Sequence, residues 1–214
     1  MKRPRVILAD DHKIVLEGLR GLLCNEFELI GEAANGQELV ELVLRLSPDV
    51  VVADVSMPLL NGIEAARKLR EAGSTAKVVM LTMHPDAVYA TRALEAGASG
   101  YVLKHSASDE LVEAVQTALR GGTYLSPQVR NPAVVELLDG TRRHVKGAIE
   151  LTGRQREVLQ LLAEGKSAKE IGGLLGISAR TVETHKYRMM GDLGLKTSAE
   201  LVQYAIRMGV AGGP

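Results

Sequence analysis

The sequence predicts an α/β domain followed by a small all-α module, and three observations carry that prediction. Five apolar, strand-like runs alternate with five amphipathic helical patterns over residues 1–120. Glycine, proline and asparagine stand at the joints between them. From Leu151 onward only helical patterns occur. Consecutive βα units imply a parallel sheet with helices on both faces, because each crossover must pack back onto the sheet.

The strand-like runs are 5–10, 27–33, 49–54, 77–82 and 100–104, and the helical patterns are 13–24, 36–46, 61–71, 86–96 and 108–119. Ile14, Leu16, Leu19, Leu22 and Leu23 mark the apolar stripe of the first helix; Leu111, Val112, Val115 and Leu119 mark that of the last. Asn35-Gly36, Ser47-Pro48, Asn61-Gly62, Gly97 and Gly121-Gly122 punctuate them. Residues 122–150 read as a partly ordered linker, with Pro127, Pro132, Gly140, a short helical stretch around 132–138 and the basic residues Arg142, Arg143 and Lys146. Helices at 152–164, 167–174, 178–191 and 197–208 then form a compact four-helix module, joined at Gly165, Gly176-Ile177 and Gly194. The expected domains are therefore 1–121 and 151–214.

With no Trp and one Phe, the core must be aliphatic. The single Cys24 excludes an intramolecular disulfide and fits a reducing compartment. MKRPRVILADDHK offers only a four-residue apolar run, and no segment reaches the length of a membrane span, so a cytoplasmic protein without membrane contact is expected. The net charge of zero conceals an asymmetry. Residues 1–120 carry 13 Lys and Arg against 17 Asp and Glu, and residues 121–214 carry 13 against 9. Halves of opposite sign suggest domains with different partners.

The unbroken run VVAD ends on Asp54, which suits a strand covered on both faces. Asp10 and Asp11 close the first strand, Thr82 the fourth and Lys104 the fifth. In a parallel sheet these ends share one edge, where ligands of such folds bind. With strand order 2-1-3-4-5, the first strand neighbours the third and three carboxylates converge. Such a group repels itself and needs a cation, for which a hard-oxygen site suits Mg²⁺. Lys104 and the Thr82 hydroxyl complete a set that would stabilise a phosphoryl group on a carboxylate.

The C-terminal module carries a helix-turn-helix signal: a helix over 167–174, a turn at Gly176-Ile177, then Ser178 as N-cap of a helix bearing Thr181 and Val182. Val182, Met189 and Leu193 form one buried stripe on this helix, and Glu183, Thr184, Tyr187 and Arg188 face the other way, toward base edges in a major groove. Lys166, Lys169, Arg180, Lys186 and Lys196 supply charge for phosphates. His185 joins this candidate DNA-contacting set.

The motifs ADD (9–11), D-x-x-M-P (54–58) with Gly62, LT (81–82) and YVLK (101–104) resemble the receiver domain of bacterial two-component response regulators, over roughly residues 4–121. The string TVETHKYRMM followed by LGLKT makes residues 151–209 resemble the DNA-binding domain of the LuxR/NarL (FixJ) family. The resemblance implies a flavodoxin-like (βα)5 fold and a phosphoacceptor at Asp54, served by a sensor histidine kinase. It implies Mg²⁺ bound by Asp11, Asp54 and the Ser56 backbone carbonyl, with Asp10 acting through water. Lys104 would contact the phosphoryl group, and Thr82 and Tyr101 would form a switch pair in which the ring fills space that Thr82 vacates. It further implies double-stranded DNA as a partner and a homodimer in the active state, formed through Leu201, Ala205 and Met208 of the last helix. No enzyme activity is implied beyond phosphorylation and dephosphorylation of Asp54 itself.

Several residues depart from the family pattern. Met83 stands where a small residue is common, which would hinder attacking water, and His105 replaces a proline; His12 and His84 line the rim. Gly172-Gly173 lies inside the scaffold helix, where each glycine costs about 1 kcal/mol against alanine. Asp192 stands at a commonly basic position, and Gly153 and Gln155 replace Pro and Glu. Together these predict a softer DNA-binding module. Two other readings remain: a DNA-binding regulator indifferent to phosphorylation, and an Asp-nucleophile, Mg²⁺-dependent phosphohydrolase of the haloacid-dehalogenase type. The latter lacks its second Asp, since Ser56 stands two residues after Asp54, and it leaves the helix-turn-helix unexplained.

Overall fold

The computed structural model describes residues 2–130, 134, 151–208 and 210. The chain divides into two compact units, Met1–Arg142 and Arg143–Pro214. In the first unit the elements run β1 (Arg5–Ala9), α1 (Lys13–Leu23), β2 (Glu28–Ala33), α2 (Gly36–Leu46), β3 (Val50–Asp54), α3 (Gly62–Glu71), β4 (Lys77–Thr82), α4 (Ala87–Ala96), β5 (Gly100–Leu103), α5 (Ala107–Leu119) and β6 (Tyr124–Leu125). The sheet order is β2-β1-β3-β4-β5-β6, parallel throughout. The expected 2-1-3-4-5 order is present, with one strand added.

That sixth strand lies in the segment read as a partly ordered linker. Tyr124 and Leu125 pair with Gly100 and Tyr101 of β5, too short a contact for any two-residue period to announce. Of the helical stretch expected at 132–138 only Val134 is described, and Arg142, Arg143 and Lys146 lie outside the described residues.

Strand β3 is buried along its whole length, as VVVAD should be at the centre of a doubly covered sheet. Its side chains alternate between layers. Val50 and Val52 pack with Val6, Leu8, Val79 and Leu81 against Leu16, Leu19 and Leu23 of α1 and Leu111 and Val115 of α5. Val51 and Ala53 pack with Ile7, Met80 and Tyr101 on the other face, against Leu39 and Val43 of α2, Ile63 and Leu69 of α3, and Ala90 and Ala93 of α4. At roughly 25 cal/mol per Å² of apolar surface buried, these two layers dominate stability.

Helix starts follow the asparagine and aspartate signals. Asn35 accepts from the Gln37 and Glu38 amides, Asn61 from Glu64 and Asp86 from Val88. Gly36 and Gly62 are required by close approach: a Cβ on Gly36 would stand 2.1 Å from the Leu60 carbonyl oxygen, and one on Gly62 would stand 2.1 Å from that of Asp54. Thus Gly62 seats α3 directly against the strand end that carries the candidate phosphoacceptor.

The second unit holds α6 (Gly153–Ala163), α7 (Ala168–Leu175), α8 (Ala179–Asp192) and α9 (Ser198–Arg207). Val158, Leu159, Leu161, Ile171, Val182, Met189, Leu201 and Ala205 are its hydrophobic residues of at most 1 % exposure. Every helix is capped by a hydroxyl: Thr152, Ser167, Ser178 and Thr197. Thr152 and Ser167 form complete capping boxes with Gln155 and Glu170. Gln155 therefore does at this helix start what a glutamate would do, and that departure carries no cost.

Candidate functional site

Three strand ends build the first site. Asp10 follows β1 and is anchored by its amide on the Ala33 carbonyl at 3.1 Å; it is 1 % exposed. Asp54 ends β3 and is 5 % exposed. Lys104 follows β5 and places Nζ 2.7 Å from Asp10 Oδ2 and 2.8 Å from Asp54 Oδ2. One ammonium thus bridges two buried carboxylates. The Ser56 amide donates to Asp54 Oδ1 at 3.2 Å. Asp11 is exposed beside them, and the His12 ring Nδ1 lies 3.0 Å from Asp11 Oδ1 and 3.2 Å from Asp10 Oδ1. His12 was expected only to line the rim; it bridges two of the acidic residues.

Burial pushes the Asp54 carboxyl above its ordinary pKa, opposed by the Lys104 hydrogen bond and charge and reinforced by the nearby Asp10. For Lys104, burial pulls the pKa down, but the Asp10 and Asp54 carboxylates beside it outweigh this and the net shift is upward. The ammonium is therefore firmly charged.

The residues present fit a hard divalent cation. Asp10, Asp11 and His12 offer ligand atoms within 4.8 Å of one another. Asp10 Oδ2 is fully buried and lies near Lys104 Nζ without an aligned donor, so the contact is one of charge with a lone pair still unmatched. Carboxylate oxygens of this kind suit Mg²⁺.

Thr82 and Tyr101, the residues expected to form a switch pair, meet at residue 84. Tyr101 is 0 % exposed, and its hydroxyl donates to the His84 carbonyl at 2.8 Å. Burial raises its pKa well beyond that of free tyrosine. Thr82 is also fully buried, and its Oγ1 accepts from the His84 amide at 3.1 Å. Both side chains are thus buried and tied to the backbone of residue 84. The loop after Asp54 carries backbone strain. Leu59 has φ 66°, and the Leu60 amide bonds the Pro58 carbonyl at 2.7 Å, a three-residue turn of the rare, strained kind. Met83 is 64 % exposed at the mouth.

The second site lies on α8. Ser178 Oγ accepts from the Thr181 amide at 3.0 Å and pairs with the Thr181 hydroxyl at 2.8 Å, so Thr181 is partly committed to the cap. Val182 and Met189 are buried as expected, joined by Met190, while Leu193 is half-buried. Thr184, Tyr187 and Arg188 are exposed, and Glu183 and His185 half-buried. Lys186 pairs with Glu183 at 2.5 Å and lies 4.9 Å from the Tyr187 ring centroid, so these three side chains form one unit. Thr184 donates to the Arg180 carbonyl at 2.9 Å. Lys169, Arg180 and Lys196 are exposed and Lys166 half-buried. Asp192 is within 3.9 Å of Arg188, which offsets its charge locally.

Two expectations about this unit are corrected. Leu201 and Ala205 are 1 % and 0 % exposed, so they belong to the module's own core and offer no surface to a second copy; only Met208 is half-buried. Gly172 is not a weak point in the scaffold helix. A Cβ there would lie 2.7 Å from the Ile177 carbonyl oxygen, so glycine is what lets the turn fold back on α7. Gly173 meets nothing within 4 Å and remains a simple propensity cost.

Both units match known protein families. Residues 6–116 match the response regulator receiver domain, and residues 150–205 match the bacterial regulatory proteins of the luxR family. The transcriptional regulatory protein MctR of Rhizobium johnstonii is 38 % identical over 208 residues, covering 96 % of this chain and 94 % of that protein. The oxygen regulatory protein NreC of Staphylococcus carnosus is 36 % identical over 210 residues, covering 95 % and 97 %. Among solved structures, the RcsB response regulator of Salmonella typhimurium superimposes with a TM-score of 0.66 at 28 % identity, covering 97 % of this chain and 99 % of that one. A LuxR-family two-component response regulator from Aurantimonas sp. SI85-9A1 is 40 % identical over 60 % of this chain and 93 % of its own, with a TM-score of 0.58. This chain belongs to the two-component response regulators that join a receiver domain to a LuxR-type DNA-binding domain. The family is one of transcription regulators and not of classical enzymes, and among the described residues no helix is long and apolar enough to cross a membrane.

Proposed function

We propose that this regulator is cytoplasmic, that Asp54 is its phosphoacceptor, that a sensor histidine kinase supplies the phosphoryl group, and that phosphorylation controls dimerisation and DNA binding. The observation that carries the reading is the shared ammonium: Lys104 Nζ sits at hydrogen-bond distance from both Asp54 and Asp10. In the transfer, an Asp54 carboxylate oxygen attacks phosphorus, the bond from phosphorus to the donor's imidazole nitrogen breaks, and an acyl phosphate forms. Lys104 then turns from the carboxylate to the phosphoryl oxygens, and the buried Thr82 hydroxyl offers a donor to one of them. Asp10, Asp11, Asp54 and the Ser56 backbone carbonyl would hold Mg²⁺, which when bound neutralises phosphoryl charge.

The DNA interface assigned to the second unit takes Lys166, Lys169, Arg180 and Lys196 as phosphate contacts. Thr181, Glu183, Thr184, His185, Lys186, Tyr187 and Arg188 face the major groove of double-stranded DNA from the N-terminal three turns of α8. A homodimer places two such helices on adjacent half-sites.

The test is a DNA-binding titration on genomic fragments, with and without Mg²⁺ plus acetyl phosphate, comparing the wild type with Asp54→Ala. Tighter binding by the treated wild type alone is expected. Equal affinity in all four samples would favour a regulator indifferent to phosphorylation.

A further inference from the structure

We propose that His84 is a positioning residue that transmits the state of the Asp54 site to helix α4. This inference rests on the phosphorylation reading of Asp54 and adds to it a residue outside the phosphoryl-binding set.

Four contacts converge on His84, each from a different part of the fold. Its ring Nε2 lies 3.2 Å from Ser56 Oγ, on the loop that follows Asp54. Its amide donates to Thr82 Oγ1 at 3.1 Å, at the end of β4. Its carbonyl accepts from the Tyr101 hydroxyl at 2.8 Å, from β5. Its ring stacks on Tyr89 of α4, with centroids 4.4 Å apart and planes 7° from parallel. Tyr89 is 8 % exposed, so the stack is packed and not a surface coincidence.

The connections make His84 the meeting point of the site and the helix. Its side chain touches the loop bearing Ser56, and its backbone holds both members of the Thr82–Tyr101 pair. When Thr82 turns its hydroxyl toward a phosphoryl group on Asp54, the 3.1 Å bond to the His84 amide must lengthen or carry residue 84 with it. Ser56 adds a second route, because its amide already bonds Asp54 Oδ1 at 3.2 Å while its hydroxyl bonds the His84 ring. Displacement of the ring reaches α4 through Tyr89, one turn inside the helix from its Asp86 cap. Farther along α4, Arg92 lies 3.9 Å from the buried Glu64 of α3. The Tyr89 stack thus moves with the site, whereas the Arg92 contact ties the helix to its neighbour. The backbone of residue 84 holds Thr82 and Tyr101, and the ring alone joins that point to both Ser56 and Tyr89.

The test uses the full-length chain with Mg²⁺ and beryllofluoride, a stable mimic of an acyl phosphate, read by amide hydrogen exchange on peptides spanning 54–62 and 84–97. In the wild type, beryllofluoride should change exchange in both peptides. In His84→Ala the 54–62 response should persist within about twofold while the 84–97 response falls about fivefold or more, because local opening at α4 no longer follows the site. His84→Phe, which keeps a ring for Tyr89, should recover much of the α4 response; His84→Gln, which keeps a donor for Ser56, should not. Tyr89→Phe should behave as wild type and Tyr89→Ala as His84→Ala. An undiminished 84–97 response in His84→Ala overturns the proposal while leaving phosphorylation at Asp54 intact. Absence of any 54–62 response in the wild type overturns both. Should His84→Ala fail to fold, His84→Gln and Tyr89→Ala carry the same comparison.

Discussion

Lys104 Nζ stands 2.8 Å from Asp54 Oδ2 while also serving Asp10 at 2.7 Å, so a single cation is shared by two buried carboxylates. Breaking such a pair by removing one partner leaves charge buried without compensation. Lys104→Met is expected to destabilise the metal-free chain by about 3 kcal/mol. Added Mg²⁺ should restore part of that loss, since it supplies the missing positive charge to the same oxygens. Denaturant unfolding followed by circular dichroism, with and without Mg²⁺, measures both effects. A variant as stable as wild type in chelator would contradict the bridging role.

The raised Asp54 pKa sets a pH dependence whose sign can be worked out. A carboxyl whose folded pKa lies above its unfolded value binds its proton more tightly when folded. Its contribution is most favourable at pH below the unfolded pKa and is lost as pH rises through the folded one. Asp54→Asn should therefore be more stable than wild type at neutral pH in chelator, and the advantage should shrink as the solution is acidified through that window. Saturating Mg²⁺ should reverse the ranking, because the variant has lost a cation ligand. Thermal melts across pH in chelator and in Mg²⁺ decide it.

What was legible in the sequence is what repeats or what sits at the end of a pattern. The alternation of VVVAD between two buried layers and the positions of Asp10, Asp54, Thr82 and Lys104 at successive strand ends are fixed by strand period and strand order. The Ser178 cap and the asparagine joints at Asn35 and Asn61 were legible for the same reason, since such a residue has a set distance from its helix. The two-residue strand at Tyr124 has no period to read. The roles of His12 and His84 depend on contacts between loops of different strands, which sequence spacing does not encode. Glycine was misread where its reason is a neighbour: the approach of Gly172 to the Ile177 carbonyl exists only in the folded turn.

That approach separates two adjacent glycines. Gly172→Ala would bring a Cβ to 2.7 Å from a backbone oxygen, which cannot swing aside, and should destabilise the DNA-binding unit by about 1–3 kcal/mol. Gly173→Ala adds a methyl in open space on an exposed helix position and should stabilise it by about 1 kcal/mol. Opposite shifts in the unfolding midpoint of the two variants are expected. Shifts of one sign would mean that helix propensity alone governs both.

Met83 projects from the mouth of the site with 64 % of its surface exposed. If Asp54 is phosphorylated as proposed, a side chain of that size next to Thr82 would hinder water approaching the acyl phosphate. Met83→Ala should shorten the lifetime of phosphorylated Asp54 several-fold without altering the fold. Loss of the phosphorylated band over time on a phosphate-affinity gel measures it, and an unchanged half-life would remove Met83 from the argument.

On α8 and its flanks, the proposed phosphate contacts and the Glu183–Lys186–Tyr187 unit should differ in what they contribute to DNA binding. Lys169, Arg180 and Lys196 are exposed, and no ion pair is recorded for them among the described residues. Each is expected to reach a phosphate, so alanine at any one should weaken binding to all DNA sequences alike and reduce the slope of log affinity against log salt by about 1. Lys186 should behave differently, because it is held by Glu183 at 2.5 Å and lies over the Tyr187 ring. Lys186→Ala frees a carboxylate near the groove and releases the ring, while Tyr187→Ala removes the large exposed side chain itself. Both should lower the ratio of specific to non-specific affinity more than they change the salt slope. Parallel titrations on a target fragment and on random-sequence duplex, at several salt concentrations, separate the classes. If Lys186→Ala changed the slope by about 1 and left the ratio untouched, it would rank with the phosphate contacts and the Glu183–Lys186–Tyr187 unit would have no part in reading sequence.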